Sequence, residues 1–225
     1  MSFFGNPNIG VYAFVNNEVL IIPPGIGGDD VNEIVGVLKT PVVVEGKIAG
    51  TILNGVFISG NDNAIVLPRI IFEDELEKLK RALKESGAGP NVYVSTSRHT
   101  ALGNILSCNN KGCIVSEGLE KDEIKKLSDV LGVEVVTARF LNIDIPGSLV
   151  LVNDFGGIVH PDLGDNDLKL LRDVLKVNVE RATVNAGSPY VKSGALANNN
   201  GVVVGGNTTG PEVLRIEKGF EGGLT

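Results

Sequence analysis

The chain has 225 residues, 29 of them glycine, and 43% of its residues are hydrophobic. That apolar fraction excludes a disordered chain, and the glycines follow no collagen-like period. A net charge of −7 argues against phosphate contacts as the main mode of binding, because proteins that hold nucleic acid carry a basic surface.

Taken in order, the chain says the same thing five times. Gly10 opens a first apolar run (GVYAFV), and Val19-Leu20-Ile21-Ile22-Pro23 answers it across Asn16-Asn17. A helical pattern starts at Asp30-Val31, and Pro41-Val42-Val43-Val44 reads as a third strand. Gly55 opens the next run, followed by Asn61-Asp62-Asn63, the run 64–68, a helix from Glu75 and a strand at 91–94. Gly103, Asn109-Asn110-Lys111-Gly112, Cys113-Ile114-Val115, Glu123 and the strand 133–136 form the third unit. Gly147, Asn153-Asp154-Phe155-Gly156, the run 157–161, Asp167 and the strand 177–179 form the fourth. Gly194, Asn198-Asn199-Asn200-Gly201, Val202-Val203-Val204 and Glu212 begin a fifth, in which no third strand is evident.

Two landmarks keep step. The glycines are spaced 45, 48, 44 and 47 residues apart, and the acidic residues 45, 48, 44 and 45. The last discrepancy is read as a fifth hairpin turn two residues shorter. The Asn/Gly segments between runs suit hairpin turns with positive φ. Leu76, Leu79 and Leu83 fall at i, i+3, i+7, as do Leu168, Leu171 and Leu175, so the middle element is an amphipathic helix. Acidic residues in its first turn meet the positive end of the helix dipole. The expected architecture is α+β: one domain over residues 1–225, with strand–strand–helix–strand repeats starting near 10, 55, 103, 147 and 194. An open solenoid would need polar caps at its ends, and a propeller blade has no helix. A closed ring is expected, with Ser2-Phe3-Phe4 supplying the strand that unit five lacks.

Other signals are weaker. No run of 18 apolar residues exists, the first residues do not read as a signal peptide, and a cytoplasmic protein is expected. Cys108 and Cys113 straddle a turn and are expected to be reduced, buried thiols. His99 and His160 stand alone, without metal-ligand spacing, so neither metal nor cofactor is expected. Gly25-Ile26-Gly27-Gly28 lacks the context of a phosphate-binding fingerprint and reads as a turn. Thr209-Gly210-Pro211-Glu212 reads as the cap of the fifth helix.

Five such units resemble the pentein fold. Within it the chain closely resembles the archaeal translation initiation factor 6 family, over essentially its whole length. The resemblance rests on Asn8-Ile9-Gly10-Val11, Thr100-Ala101-Leu102-Gly103-Asn104, Gly156-Gly157-Ile158-Val159-His160-Pro161, Asp173-Val174-Leu175-Lys176-Val177, Ala182-Thr183-Val184-Asn185 and Gly205-Gly206-Asn207-Thr208-Thr209-Gly210-Pro211-Glu212. Asn207 departs from the Asp usual in the family, and the longer tail of eukaryotic members is missing. The resemblance implies a monomer that binds the large ribosomal subunit, on a ribosomal protein near the sarcin-ricin loop with limited rRNA contact, and keeps the small subunit away. It also implies a part in subunit maturation.

The positions after the repeated glycines, Val11, Val56, Asn104, Ser148 and Ala195, are expected to gather around the axis. Asn104, polar among apolar neighbours, is the leading candidate for a ribosome contact. Its competing role is a turn asparagine bonded to backbone. The loop cations Lys47, Arg98, Arg139 and Arg181, with Lys192 just ahead of Gly194, are candidates for rRNA phosphates or ordinary surface charges. The alternative is a guanidino-modifying pentein hydrolase or transferase. Those enzymes need a nucleophilic Cys in the last unit, and no cysteine follows Cys113.

Overall fold

In a computed structural model, which describes residues 1–87 and 89–221, each apolar pair folds as a short antiparallel hairpin preceded by one helical turn. Unit one has the turn Ile9–Tyr12, then β1 (Phe14–Val15), β2 (Val19–Ile22), α1 (Gly28–Leu38) and β3 (Val42–Glu45). Unit two has the turn Asn54–Phe57, β4 (Ser59–Gly60), β5 (Ala64–Leu67), α2 (Glu73–Ser86) and β6 (Asn91–Val94). Unit three has Leu102–Ile105, β7 (Leu106–Cys108), β8 (Gly112–Val115), α3 (Lys121–Leu131) and β9 (Glu134–Thr137). Unit four has Pro146–Leu149, β10 (Val150–Val152), β11 (Gly156–Val159), α4 (Asp165–Leu175) and β12 (Asn178–Arg181). Unit five has a 3-10 turn, Val191–Gly194, then β13 (Ala195–Asn198), β14 (Gly201–Val204) and α5 (Gly210–Phe220). In the first four units the helix carries the chain over to a third strand that runs parallel to the second, as where Val19 faces Val42 and Ile22 faces Glu45.

The cores lie between units rather than inside them. Leu79 and Leu83 of α2 pack with Ile21, Val42 and Val44 of unit one. Ile216 and Phe220 of α5 pack with Ile158 and Ala182 of unit four. Ile34 and Leu38 of α1 pack with Leu196 and Val203 of unit five, so the series returns to its start. A lone unit would leave the apolar stripe of its helix bare, which is why the repeat is viable only in company.

Asparagine secures this arrangement in a way periodicity did not anticipate. No hairpin asparagine has a positive φ. The Asn109 Oδ1 accepts from the Lys111 and Gly112 N–H groups of its own turn, an Asx turn. Its Nδ2 donates to the Asn153 carbonyl of the next unit. Asn16, Asn61, Asn153 and Asn198 repeat the pattern: Asn16 donates to Asn61 O, Asn61 to Asn109 O, Asn153 to Asn198 O, and Asn198 to Asn16 O. The next residues form a second circle. The backbone N–H groups of Asn17, Asp62, Asn110, Asp154 and Asn199 each donate to the side chain of the following member, and Asn199 returns to Asn17.

Two further expectations change. The N-terminal segment does not add a strand to unit five: Met1 donates to Val204 O and its carbonyl accepts from Gly206 N–H, and residues 1 and 2 are not in a strand. The backbone of Met1 thus copies only the residue after a third strand, since Gly46, Ser95, Ala138 and Ala182 make the same bond to Ile22, Leu67, Val115 and Val159. The segment after Glu221, read as lacking a third strand, lies outside the described residues. Cys108 and Cys113, expected as free thiols, form a disulfide with an S–S distance of 2.00 Å. They stand directly opposite in the β7–β8 register, which brings their side chains together.

The acidic landmarks do more than answer the helix dipole. Glu75 accepts from the Ala49 and Gly50 N–H groups of unit one as well as from Phe72 N–H at its own helix start. Glu123 takes the Ser95, Thr96 and Tyr93 hydroxyls of unit two. Glu212 takes the Thr183 hydroxyl and the Ala186 and Gly187 N–H groups of unit four, and closes the expected cap with Thr209. Burial opposes ionisation of Glu212, but the bonds from Thr209, Thr183 and Gly187 outweigh it and hold its pKa at about 2. A carboxyl whose folded pKa is depressed stabilises the fold above its ordinary pKa, and that contribution disappears as pH falls through the folded value. The melting temperature is therefore expected to fall between about pH 4.5 and pH 2. Glu212→Gln should melt several degrees lower at pH 7 and change less over that interval. Equal acid slopes for the two proteins in calorimetry would refute this role.

Candidate docking face

The five single turns ring one end of the pseudo-fivefold axis, and close approach explains their glycines. A Cβ on Gly55 would lie 1.9 Å from the carbonyl oxygen of Gly10, and one on Gly103 2.0 Å from that of Gly55. On Gly147 it would lie 2.6 Å from the carbonyl oxygen of Gly103, and on Gly10 1.9 Å from that of Lys192. Lys192, not Gly194, is thus the fifth member of the circle. Its distance from Gly147 is 45 residues, equal to the last interval of the acidic landmarks. The fifth hairpin turn is not shorter: Asn198 to Gly201 spans the same length as Asn153 to Gly156. Gly194 instead packs against Val184 and Asn185.

This register decides which side chains meet. Val11, Val56, Asn104 and Ser148 come together as expected, half-buried around an axial pocket of about 280 Å³. The fifth member is Ser193. Ala195, placed here by the sequence spacing, is only 1% exposed and faces an inner cavity of about 60 Å³ farther along the axis. Asn104 donates its backbone N–H to Ala101 O, while its side chain makes no hydrogen bond to any described residue. The competing role of a turn asparagine held by backbone is not what the geometry shows.

Lys192 enters the axis because its four counterparts have no side chain. Its ammonium donates to the Gly103 carbonyl on the opposite side of the ring. Burial lowers its pKa to about 8. The glycine spacing concealed this residue, which read as a loop charge; the last interval of the acidic landmarks, 45 residues, was the signal that could have found it.

The other four loop cations lie elsewhere, and none of them lines the axial pocket. Arg98 pairs with Glu120 at 3.3 Å, Arg139 with Glu117 at 3.3 Å and Asp144 at 3.7 Å, and Arg181 with Asp165 at 2.6 Å. Lys47 is exposed beside a separate cleft between units one and two. His99 contacts the Gly118 carbonyl, and the His160 Nδ1 accepts from Asp162 N–H. Among the described residues no group of His, Cys, Asp or Glu is arranged to hold a metal ion, and no helix is long and apolar enough to cross a membrane.

The chain matches the model of the eIF-6 family over residues 1–219. Translation initiation factor 6 of Staphylothermus marinus is 52% identical, covering 99% of this chain and 97% of that protein. The factors of the same name from Pyrococcus furiosus and Aeropyrum pernix are 45% and 43% identical, over 97% and 100% of this chain and 96% and 95% of theirs. A crystal structure of dimethylarginine dimethylaminohydrolase superposes with a TM-score of 0.51, covering 77% of this chain and 68% of that one, at 14% identity. At that identity the likeness carries the pentein fold and not the enzyme's chemistry. The named relatives are initiation factors, not enzymes, and the family model and these relatives match over nearly the whole length: the chain belongs to the eIF-6 family.

Proposed function

We propose that this protein binds the large ribosomal subunit through the face that carries the axial pocket and thereby blocks joining of the small subunit. The observation that carries the reading is the Asn104 side chain: half-buried, without an internal partner, and grouped with Val11, Val56, Ser148 and Ser193 at the centre of one face. A side-chain amide without an internal partner at the centre of a face is free to take a hydrogen bond from a docked protein. The mechanism is steric: a rigid ring occupies surface the small subunit needs, and no bond is made or broken. An acidic chain suits a basic ribosomal protein near the sarcin-ricin loop as the main contact. Contact with rRNA is limited, in keeping with Arg98, Arg139 and Arg181 already paired to carboxylates. The factor acts as a cytoplasmic monomer formed by the whole chain and takes part in subunit maturation.

The test is co-sedimentation with purified archaeal large subunits, followed by a subunit-joining assay. The protein is expected in the large-subunit fraction, and joining should decrease. Asn104→Arg should weaken binding about tenfold or more, as truncation of a central contact does, with a melting temperature within about 2 °C of the unaltered protein. Free protein at the top of the gradient would overturn the reading. Unweakened binding by the variant would move the interface away from this face.

A further inference from the structure

Four of the five axial positions are glycine, and the fifth puts a cation on the axis of a chain whose net charge is −7. Around it the pocket is uncharged: Val11 and Val56 contribute apolar surface, Asn104, Ser148, Ser188, Ser193 and Tyr190 contribute amide and hydroxyl groups, and no carboxylate lines it. The Lys192 ammonium has the Gly103 carbonyl as its hydrogen-bond partner and forms no ion pair among the described residues. Asn104 and Ser148 make no side-chain hydrogen bond there either. Charges withdrawn from water are ordinarily paired, so the free protein holds one half of an ion pair together with spare donors for a second oxygen. Toward the inner cavity no acidic or basic side chain faces Lys192, and Tyr190 is the other titratable group lining the pocket.

We propose that the axial pocket receives an acidic side chain, Asp or Glu, from the protein surface on which this face docks, with Lys192 as its charge partner and Asn104 and Ser148 as further donors. The proposal rests on the docking reading above and deepens it. A carboxylate fits better than a nucleic-acid phosphate because one recessed cation serves a single small anion, whereas phosphate backbones are held by several exposed cations. The low pKa of Lys192 has the same origin: burial costs the ammonium its water, and no carboxylate compensates.

Two measurements test it. In the full-length protein, the Lys192 side-chain carbon signal is titrated by NMR in sodium chloride, sodium acetate or sodium phosphate at equal ionic strength. Acetate is expected to raise the midpoint relative to chloride, since it favours the ammonium. No difference from chloride overturns the pocket, and a larger rise in phosphate than in acetate reassigns it to a phosphate and overturns the acidic side chain. The second measurement is the Kd for isolated large subunits. Lys192→Met should bind about thirtyfold more weakly at pH 7, the low end of what loss of one partner of a buried pair costs. The unaltered protein should weaken as pH rises through 8 and the Met variant should not. If Lys192→Met does not fold, Ser193→Asp, which offers the ammonium an internal carboxylate, should bind subunits about tenfold more weakly and raise the Lys192 midpoint. Equal binding by the substituted and unaltered proteins overturns this proposal alone. Failure of the unaltered protein to bind subunits overturns the docking reading and this proposal with it.

Discussion

Gly55→Ala is expected to yield no stably folded protein, although it adds one methyl group. The new Cβ would lie 1.9 Å from the Gly10 carbonyl oxygen and 2.6 Å from that of Ala13. Both obstacles are backbone, so no side chain can rotate away. Relief requires unit two to move from unit one, which opens the core shared by Ile21, Val44, Leu79 and Leu83. The cost is at the exceptional end for single substitutions, about 4 kcal/mol or more. The matched control is Gly36→Ala within α1, where a Cβ meets nothing within 4 Å. That change should be neutral or stabilise by about 0.5–1 kcal/mol through helix propensity. Expression and thermal melting of the two variants decide the matter. Normal melting of Gly55→Ala would mean that the turns do not pack as described.

Asn109→Ala is expected to lower the melting temperature by about 10 °C. Asn109 is 5% exposed, and its amide donates at 2.9 Å to both Asn153 O and Leu175 O, while its oxygen caps two N–H groups of its own turn. Truncation strands several buried backbone groups at once, each costing about 1–3 kcal/mol. A total of about 3–5 kcal/mol follows, and in a chain of this size each kcal/mol moves the midpoint by about 2–4 °C. Asn104→Ala, an equally conservative change at a half-exposed asparagine without an internal partner, should move it by less than about 2 °C. Calorimetry of both variants is the check, and similar small shifts would deny the asparagine circle its part in holding the ring.

These two sites also mark how far the sequence could be read. The repeat was legible because each landmark has a local cause. Leu76, Leu79 and Leu83 record a helix that must hide one stripe, and Glu75, Glu123 and Glu212 record a helix start. Adjacency in the ring follows from those units in sequence order. The partners of Asn109 lie 44 and 66 residues away. Nothing local distinguishes an asparagine that tolerates a turn from one that bridges two units, so positive φ was the natural and mistaken expectation.

The axial pocket divides in the same way. Val11, Val56, Asn104 and Ser148 were found by counting, because the first four units keep their glycine in register. In unit five another glycine, Gly194, stands two residues from the true axial position and captured the count. It led to Ala195 instead of Ser193 and left Lys192 as an ordinary loop charge. Cys108 and Cys113 were seen to flank one turn, but whether their sulfurs meet depends on the β7–β8 register.

By itself the sequence determined the strand–strand–helix–strand unit, its fivefold recurrence and the membership those motifs announce, because hydrophobic periodicity and turn chemistry act over a few residues. Only the tertiary structure decided that the cores lie between units, that asparagine side chains close the circle, and that a lysine stands where four glycines lead one to expect a fifth. Those features depend on which backbone atoms approach across the ring, and distances through space are not written in distances along the chain.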